Sequence, residues 1–255
     1  MKMDLETKKE HMVRIGITDD TLNEIMPLMK EDPRYGSDDD FVHDALREFP
    51  ENTDRNLVAM KIALIDMTNS TSLSRLTGNK EFDRKNRRTG EIQRVKRDVL
   101  NLQDIVGKIV SIKDFDERIK NGDVTIVSEL ARWSSNFGDG LNLFSFFSKY
   151  CLYHNYHAYA RDDFSIYDSV VRDHLGDYLS TSEYSKLLGG KTLRKNQSTS
   201  SAVAGEIEKM RRKCDYAKYR DLIDSVLKIK GVSNGVESKR RKLDLFIWYL
   251  NRTNH

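Results

Sequence analysis

The stretch "FFSKYCLYHNYHAYARDDFSIYDSVV", residues 146–171, decides the fold because its long apolar run predicts a central, buried element. Within that run of aromatic and aliphatic residues lies a single lysine, Lys149. Apolar side chains fall on both faces of a helix spanning 143–154, so we predict that this helix is buried nearly all round. Lys149 either extends its stem along the core with its ammonium in water, or holds its amine in a partly desolvated pocket. In the second case a neutral, nucleophilic amine becomes available.

The second polar residue of interest is Asp168, which precedes "SVVRDHL" and is predicted to begin the next helix. Its carboxylate can accept the first free backbone N–H groups of that helix, so N-capping alone would account for it. The positive end of a helix also favours a carboxylate that faces a cleft. Because a helix, the polar loop "NYHAYARDD" and the start of a second helix connect Lys149 to Asp168, we expect both groups to reach one cavity.

Helical spacing of apolar residues recurs along the chain, which predicts an all-α protein. The segments that show it are 56–67, 97–112, 124–137, 143–154, 167–179 and 242–250. We predict four regions: an N-terminal helical extension (1–54), a helical core (55–190), a polar linker (191–205) and C-terminal helices that pack back on the core (206–255).

Composition excludes several classes of protein. No run approaches eighteen apolar residues, and the start "MKMDLETKKEHM" lacks the apolar middle of a signal peptide, so we expect a cytoplasmic protein with no membrane partner. The two cysteines, Cys151 and Cys214, have no CxxC spacing, which argues against a zinc knuckle or an iron–sulfur cluster. His154 and His157 lack a nearby third ligand and are expected to be core or loop residues. We therefore expect neither a metal nor a cofactor.

Basic residues are clustered, although the net charge is only +3. The segment "KEFDRKNRRTGEIQRVKR" (80–97) contains eight basic and three acidic residues, and "SKRRK" (238–242) adds a second cluster. Each cluster is either a solvated helix face or a surface for a polyanion, since phosphate neutralisation needs local positive charge.

The lysine and the aspartate together carry a resemblance to a known family. Lys149, followed by Asp168 within "FSIYDSVV", resembles the catalytic pair of the helix-hairpin-helix DNA glycosylase superfamily, particularly its 8-oxoguanine DNA glycosylase branch. The combination "SKYCLYHN…FSIYDS" is also similar to prokaryotic proteins with this fold, some of them placed near phage-defence genes. The resemblance covers roughly residues 55 to 180.

A second segment supports the same resemblance. "IDMTNSTSLSRLTGN" (65–79) is similar to the helix-end segment in which that branch places asparagines in the gap left by a flipped base, followed by an arginine. Asn69, Ser70, Thr71 and Arg75 fall on the matching positions. Helix capping or a turn is the alternative role for the first three.

The resemblance implies two helical lobes with a DNA-binding cleft and an enzyme that flips and excises a base. Asp168 would stabilise charge on the sugar and Lys149 would attack C1′, giving a Schiff base that can lead to strand cleavage. With a protonated lysine, water activated by Asp168 would be the nucleophile. The substrate is either a modified base of phage DNA, such as glucosylated hydroxymethylcytosine, or 8-oxoguanine. A catalytically inactive DNA-binding module and a structural protein are the remaining alternatives.

Further residues are assigned to DNA in this interpretation. Candidates for the base pocket or for insertion into DNA, besides residues 69–71, are Phe144, Phe147, Tyr150 and Tyr153, although aromatic stripes usually form core. Candidates for phosphate contacts, besides Arg75, are Arg84, Arg87, Arg88, Arg94, Lys96, Arg97 and Arg172. We expect a monomer that binds double-stranded DNA. The chain departs from the family in lacking the glycine-rich hairpin before the lysine, so its basic residues at 84–97 would replace that phosphate contact.

Overall fold

The computed structural model describes residues 4–33, 38–69, 73, 80–85, 92–97, 101–132 and 142–252, with backbone alone at 38–40, 69 and in the two strands. Its helices are α1 (Leu5–Ile15), α2 (Asp19–Glu31), α3 (Asp38–Glu48), α4 (Arg55–Asn69), α5 (Leu102–Ser111), α6 (Phe115–Lys120), α7 (Thr125–Ala131), α8 (Phe144–Tyr153), α9 (Ser169–His174), α10 (Thr181–Leu187), α11 (Thr199–Arg212), α12 (Tyr216–Ile229) and α13 (Lys239–Asn251). A π-helical turn, His154–Ala158, continues α8, and a 3₁₀ turn, Leu175–Tyr178, continues α9. The helical architecture predicted from apolar spacing is confirmed.

One antiparallel hairpin interrupts the helices and was not predicted. Strands β1 (Lys80–Lys85) and β2 (Ile92–Arg97) pair from Lys80↔Arg97 to Lys85↔Ile92. The sequence favoured a charged helix face here because basic residues dominate the segment. In the backbone register of the ladder, Phe82 is opposite Val95.

The N-terminal helices share the core of the rest of the chain. Met12 of α1 and Leu22 and Ile25 of α2 are buried in one cluster with residues of the later helices, and α2 packs against α13. Asp4 caps α1, and Thr18 caps α2 by accepting the Thr21 N–H, while the Thr18 N–H donates to Thr21 Oγ1 in return. Residues 1–54 are therefore integrated through their described part with the C-terminal end of the fold.

The predicted polar linker at 191–205 is wrong in its second half. Helix α11 begins at Thr199, after Ser198 caps it by accepting a hydrogen bond from the Ser201 N–H. Ala202 and Val203 are buried on this helix. The Ser-rich composition suggested a loop, whereas serine at a helix start acts as an N-cap.

The backbone of the 3₁₀ turn that follows α9 lies very close to the backbone at the start of α11. Gly176, in the 3₁₀ turn after α9, has no Cβ, and a Cβ built there would lie 2.5 Å from the Cα of Ser200. Any side chain at this position would force the turn and the start of α11 apart. The two elements therefore pack backbone against backbone.

Candidate active site

Helix α8 is buried along almost its whole length, as its sequence predicted. All of its residues except Ser145 are buried, including Lys149, which is only 5% exposed. The extension of the lysine head into bulk water, one of the two roles open from the sequence, does not occur. The amine is held inside the protein.

Lys149 and Asp168 are in direct contact. The lysine Nζ donates a hydrogen bond to Oδ2 of Asp168 at 3.0 Å, and the aspartate side chain is 15% exposed. The other carboxylate oxygen, Oδ1, accepts the N–H of Val170 at 2.8 Å, so Asp168 is the N-cap of α9. One carboxylate thus performs both roles that the sequence suggested, capping with one oxygen and pairing with the other.

Two serines of α8 hold the residue that precedes Asp168. The Tyr167 N–H donates to Ser148 Oγ at 2.9 Å, and Ser145 Oγ donates to the Tyr167 carbonyl at 3.1 Å. Ser148 also donates to the Ser145 carbonyl, which fixes its hydroxyl. Because these serines lie on the same helix as Lys149, α8 positions both members of the pair.

The extended segment leading to Tyr167 is buried, and since it pairs with no strand in the described part of the chain, side chains satisfy its backbone. The Tyr216 hydroxyl accepts the Ser165 N–H and donates to the Ser165 carbonyl, both at 2.7 Å. The Tyr219 hydroxyl donates to the Ile166 carbonyl at 2.6 Å. Helix α12 therefore holds the other side of the segment that ends at Asp168.

Asp244 of α13 completes this support. Its Oδ2 accepts the Ile166 N–H at 2.7 Å, and the residue is 2% exposed. Burial raises the pKa of the Asp244 carboxyl well above its usual range, against the hydrogen bond from Ile166 and the charge of Arg241, which lower it. Side chains of three helices, α8, α12 and α13, thus hydrogen-bond to the backbone of the three residues that precede Asp168, which are Ser165, Ile166 and Tyr167.

The four aromatic residues proposed for the base pocket all make core contacts. The Phe144 ring lies 5.3 Å from that of Tyr167, and Phe147 packs edge-on to Phe146. The Tyr150 hydroxyl donates to Asn52 Oδ1 at 2.6 Å. Tyr153 stacks on His157 and lies under the Arg241 guanidinium. The structure gives these side chains the core role that was the alternative for them.

Five of the eleven remaining predicted DNA contacts lie outside the described residues. This holds for Ser70, Thr71, Arg75, Arg87 and Arg88, while Asn69 ends α4 and Arg84, Arg94, Lys96 and Arg97 occupy strand positions of the hairpin. Arg172 is described in full, and its Nε and Nη2 bind the two carboxylate oxygens of Asp173 at 2.7 and 2.8 Å. Its Nη1 reaches the Tyr167 hydroxyl at 3.5 Å.

An arginine cluster beside Tyr167 was missed by the sequence interpretation. Glu208 of α11 binds Arg211 through both carboxylate oxygens, at 2.7 and 2.8 Å, and binds Arg212 Nε at 2.9 Å. The Tyr167 hydroxyl donates to the same carboxylate at 3.4 Å. The signal in the sequence was "EKMRRK" (208–213), in which the two arginines lie three and four residues after the glutamate.

A second buried amine was also missed. Lys61 of α4 is fully buried and donates to the Glu51 carbonyl at 2.6 Å and to Asn52 Oδ1 at 3.4 Å. Burial lowers its pKa to about 8, partly opposed by the negative charges of Asp116 and Glu51. Asn52 also binds Asp116 through its backbone and side-chain nitrogens, so the lysine lies in a satisfied polar network.

His154 and His157, the two histidines singled out in the sequence, are both buried. His154 Nδ1 lies 2.9 Å from the Tyr150 carbonyl, and burial lowers the His154 pKa to about 3, so its ring is neutral at physiological pH. His157 Nδ1 lies 3.0 Å from His43 Nδ1 of α3. Within the described ranges no group of three or more His, Cys, Asp or Glu side chains could hold a metal ion. None of the helices described there is long and apolar enough to span a membrane.

Comparison with known proteins identifies a family for this chain. No solved structure matches it. An "Uncharacterized protein" of Haemophilus influenzae is 43% identical over 63 residues, which is 25% of this chain and 28% of that protein. The family HI_0787_N, described as an N-terminal domain, matches residues 21–159, more than half of the chain. The match contains α8 with Lys149 and ends before Asp168. The chain therefore belongs to the HI_0787_N family.

Proposed function

We propose that this protein is a DNA N-glycosylase that flips a modified base out of double-stranded DNA and cleaves its bond to deoxyribose. Lys149 and Asp168 are the proposed catalytic residues. The observation that carries the proposal is the 3.0 Å contact between an amine on a buried, largely apolar helix and a carboxylate at the start of the next helix. Such a pair supplies a nucleophile and an adjacent group that accepts its proton.

The proposed reaction begins with transfer of a proton from the Lys149 ammonium to the adjacent Asp168, which delivers this proton to the base as the bond to C1′ breaks and is thereby ionised again. The Lys149 nitrogen then forms a bond to C1′ as the bond between C1′ and the base breaks. The base leaves with the bonding electron pair and takes up a proton. The sugar ring opens to a Schiff base on Lys149, which water hydrolyses to an abasic site or which loses the 3′ phosphate by elimination.

Asp168 has a second proposed role, which is to stabilise the positive charge that develops on the sugar. Preorganisation of this kind requires a carboxylate that does not move during the reaction. The contacts of Asp168 meet this requirement, because its Oδ1 is fixed by the Val170 N–H and its backbone follows the clamped residue Tyr167.

The hairpin supports the DNA partner through its charge distribution. Alternate positions of a strand share one face, which places Lys80, Phe82 and Arg84 together with their partners Arg97, Val95 and Gln93. This face carries three basic residues and no acidic one. The acidic residues of the strands, Glu81 and Asp83, occupy the alternate positions, and in the backbone register they are opposite Lys96 and Arg94. A basic two-stranded ribbon has the dimensions to enter the DNA major groove.

The substrate that we propose is a modified base of phage DNA, such as glucosylated hydroxymethylcytosine, so the enzyme would act in defence against phages. This follows from the resemblance to prokaryotic proteins of the glycosylase fold. The alternative within the same chemistry is 8-oxoguanine repair with strand cleavage. Incubation with unmodified DNA, 8-oxoguanine-bearing duplexes and modified phage genomes, with mass spectrometry of released bases, distinguishes these substrates. Release of no base from any of these DNAs, despite binding to them, would instead indicate an inactive DNA-binding module.

A further inference from the structure

We propose that Arg172, Arg211 and Arg212 form a binding site for one backbone phosphate of the DNA strand, and that Glu208 occupies this site when DNA is absent. This inference rests on the proposed function, since it adds a specific phosphate contact beside the catalytic pair. The bound phosphodiester would replace the Glu208 carboxylate as the anion that the arginines surround.

The geometry of the cluster fits a bidentate oxyanion. Arg211 binds Glu208 through Nε and Nη2, the fork arrangement that guanidinium groups also use for phosphate. Arg212 Nε binds one of the same oxygens at 2.9 Å, and Arg172 Nη1 lies 3.8 Å from the other. A phosphodiester has two free oxygens on one atom, as a carboxylate does, and can accept from the same donors.

The charges of the cluster do not cancel. Three guanidinium groups surround Glu208, and Asp173, on Arg172, is the other carboxylate bound to them among the described residues. The Glu208 pKa is lowered to about 2, first by the hydrogen bond from Arg211 and then by that from Arg212, so the carboxylate is ionised at physiological pH. One net positive charge remains, and the side chain of Arg212 is 73% exposed to an incoming anion.

The cluster is attached to both catalytic helices. The Tyr167 hydroxyl contacts Glu208 and Arg172, and Tyr167 is the residue immediately before Asp168. On the other side, Asn142 donates to the Arg211 carbonyl at 2.6 Å and accepts the N–H of Phe144, the first residue of α8. An anion held by these arginines would therefore have a fixed position relative to Lys149 and Asp168. A DNA strand that places a sugar at Lys149 has a phosphate on either side of that sugar, and one of these phosphates is assigned to the arginines.

Binding of the protein to a fluorescently labelled undamaged duplex, measured by anisotropy at several salt concentrations, tests the inference. Arg211→Gln and Arg212→Gln are each expected to weaken binding about fivefold and to lower the slope of log K against log salt by about one. Glu208→Gln is expected to tighten binding roughly threefold, because it removes the competing anion while keeping a polar side chain. If these residues served folding alone, Glu208→Gln and the arginine variants would not change the affinity for DNA in opposite directions.

The matched control lies on the same helix. Glu206 and Lys209 form an ion pair with the spacing of Glu208 and Arg211, but they lie about 200° further round α11. Lys209→Gln is expected to change affinity and salt slope much less than Arg211→Gln. Thermal unfolding of each variant verifies that it is folded, and Arg212→Gln, at an exposed position, provides the test if Arg211→Gln unfolds.

Several outcomes would overturn the inference. One is a parent protein that does not bind duplex DNA, and another is an equal effect of Lys209→Gln and the arginine variants. Weaker binding by Glu208→Gln would equally contradict it, as would a preference of the cluster for an acidic peptide over DNA in competition. Base release is measured in parallel. Intact, arginine-dependent binding without release of any base would contradict the proposed function and leave the phosphate site in place.

Discussion

The Lys149 amine and the Asp168 carboxylate meet at 3.0 Å across a separation of 19 residues, and the same carboxylate caps helix α9. The two contacts use different oxygens, so the cap fixes the orientation in which the second oxygen faces the amine. One side chain therefore serves both helix capping and the proposed chemistry, but the two roles require different properties of that side chain. The cap requires an oxygen acceptor, whereas the proposed charge stabilisation requires a carboxylate.

Substitution of Asp168 separates these properties. Asp168→Asn keeps an amide oxygen that caps helices about as well as a carboxylate, whereas Asp168→Ala loses the cap. We expect Asp168→Ala to have a free energy of unfolding about 1 kcal/mol below that of Asp168→Asn, measured by urea denaturation. Both variants are expected to lower the rate of base release about a hundredfold or more, because both remove the charge. A rate for Asp168→Asn equal to that of the parent would show that the carboxylate has no catalytic role.

Ser148 is expected to act as a positioning residue. Ser148→Ala removes the acceptor for the buried Tyr167 N–H, which should lower the free energy of unfolding by about 1–3 kcal/mol. Because Tyr167 precedes Asp168, the single-turnover rate of base release should fall while the Kd for DNA stays unchanged. The control is Ser225→Ala, in which a partly exposed serine of α12 loses its bond to the Asp221 carbonyl, with an expected stability change within about 0.5 kcal/mol. Equal effects of the two substitutions on the rate would contradict the positioning role.

Lys61 gives a prediction for the pH dependence of stability. Its folded pKa of about 8 lies below the ordinary value of 10.5, so between these values the unfolded chain holds a proton that the folded protein has released. The free energy of unfolding contributed by this group therefore rises with pH, by about 2 kcal/mol between roughly pH 7.5 and 9.5.

The measurement is denaturant unfolding of the parent and of Lys61→Met at both pH values. The difference in free energy of unfolding between the parent and Lys61→Met should change by about 2 kcal/mol between the two pH values, because the parent gains stability relative to the variant as the pH rises. The other titrating groups are common to both proteins and cancel in this comparison. Parallel pH profiles would show that the Lys61 amine is not desolvated in the folded protein.

The sequence predicted the parts of the site that depend on local pattern. Apolar residues on both faces of 143–154 indicated a buried helix, and a polar residue before "SVVRDHL" indicated an N-cap, which is why the Lys149 and Asp168 contact could be anticipated. Tyr216 and Asp244 could not, because they reach the segment before Asp168 from 51 and 78 residues away in the chain. No periodicity encodes such contacts.

Two other features were visible in the sequence but were not interpreted. "NLVAMKIALIDM" sets Lys61 in an apolar helix just as α8 sets Lys149, so the same reasoning would have found a second buried amine. The spacing of Glu208 with Arg211 and Arg212 is that of an ordinary solvated helix pair. Only the position of Tyr167 beside it, given by the tertiary structure, connects that pair to the candidate site.

The most direct test of the central claim is reductive trapping with borohydride on the DNA from which the parent protein releases a base. If a Schiff base forms between Lys149 and C1′, reduction should give a stable covalent adduct of protein and DNA. Proteolysis and mass spectrometry should then locate the added mass on the peptide that contains α8. Lys149→Gln should abolish the adduct, whereas Lys61→Met, which removes another buried lysine, should keep it. An undiminished adduct in Lys149→Gln, or base release by the parent with no adduct at all, would contradict the assignment of Lys149 as the nucleophile.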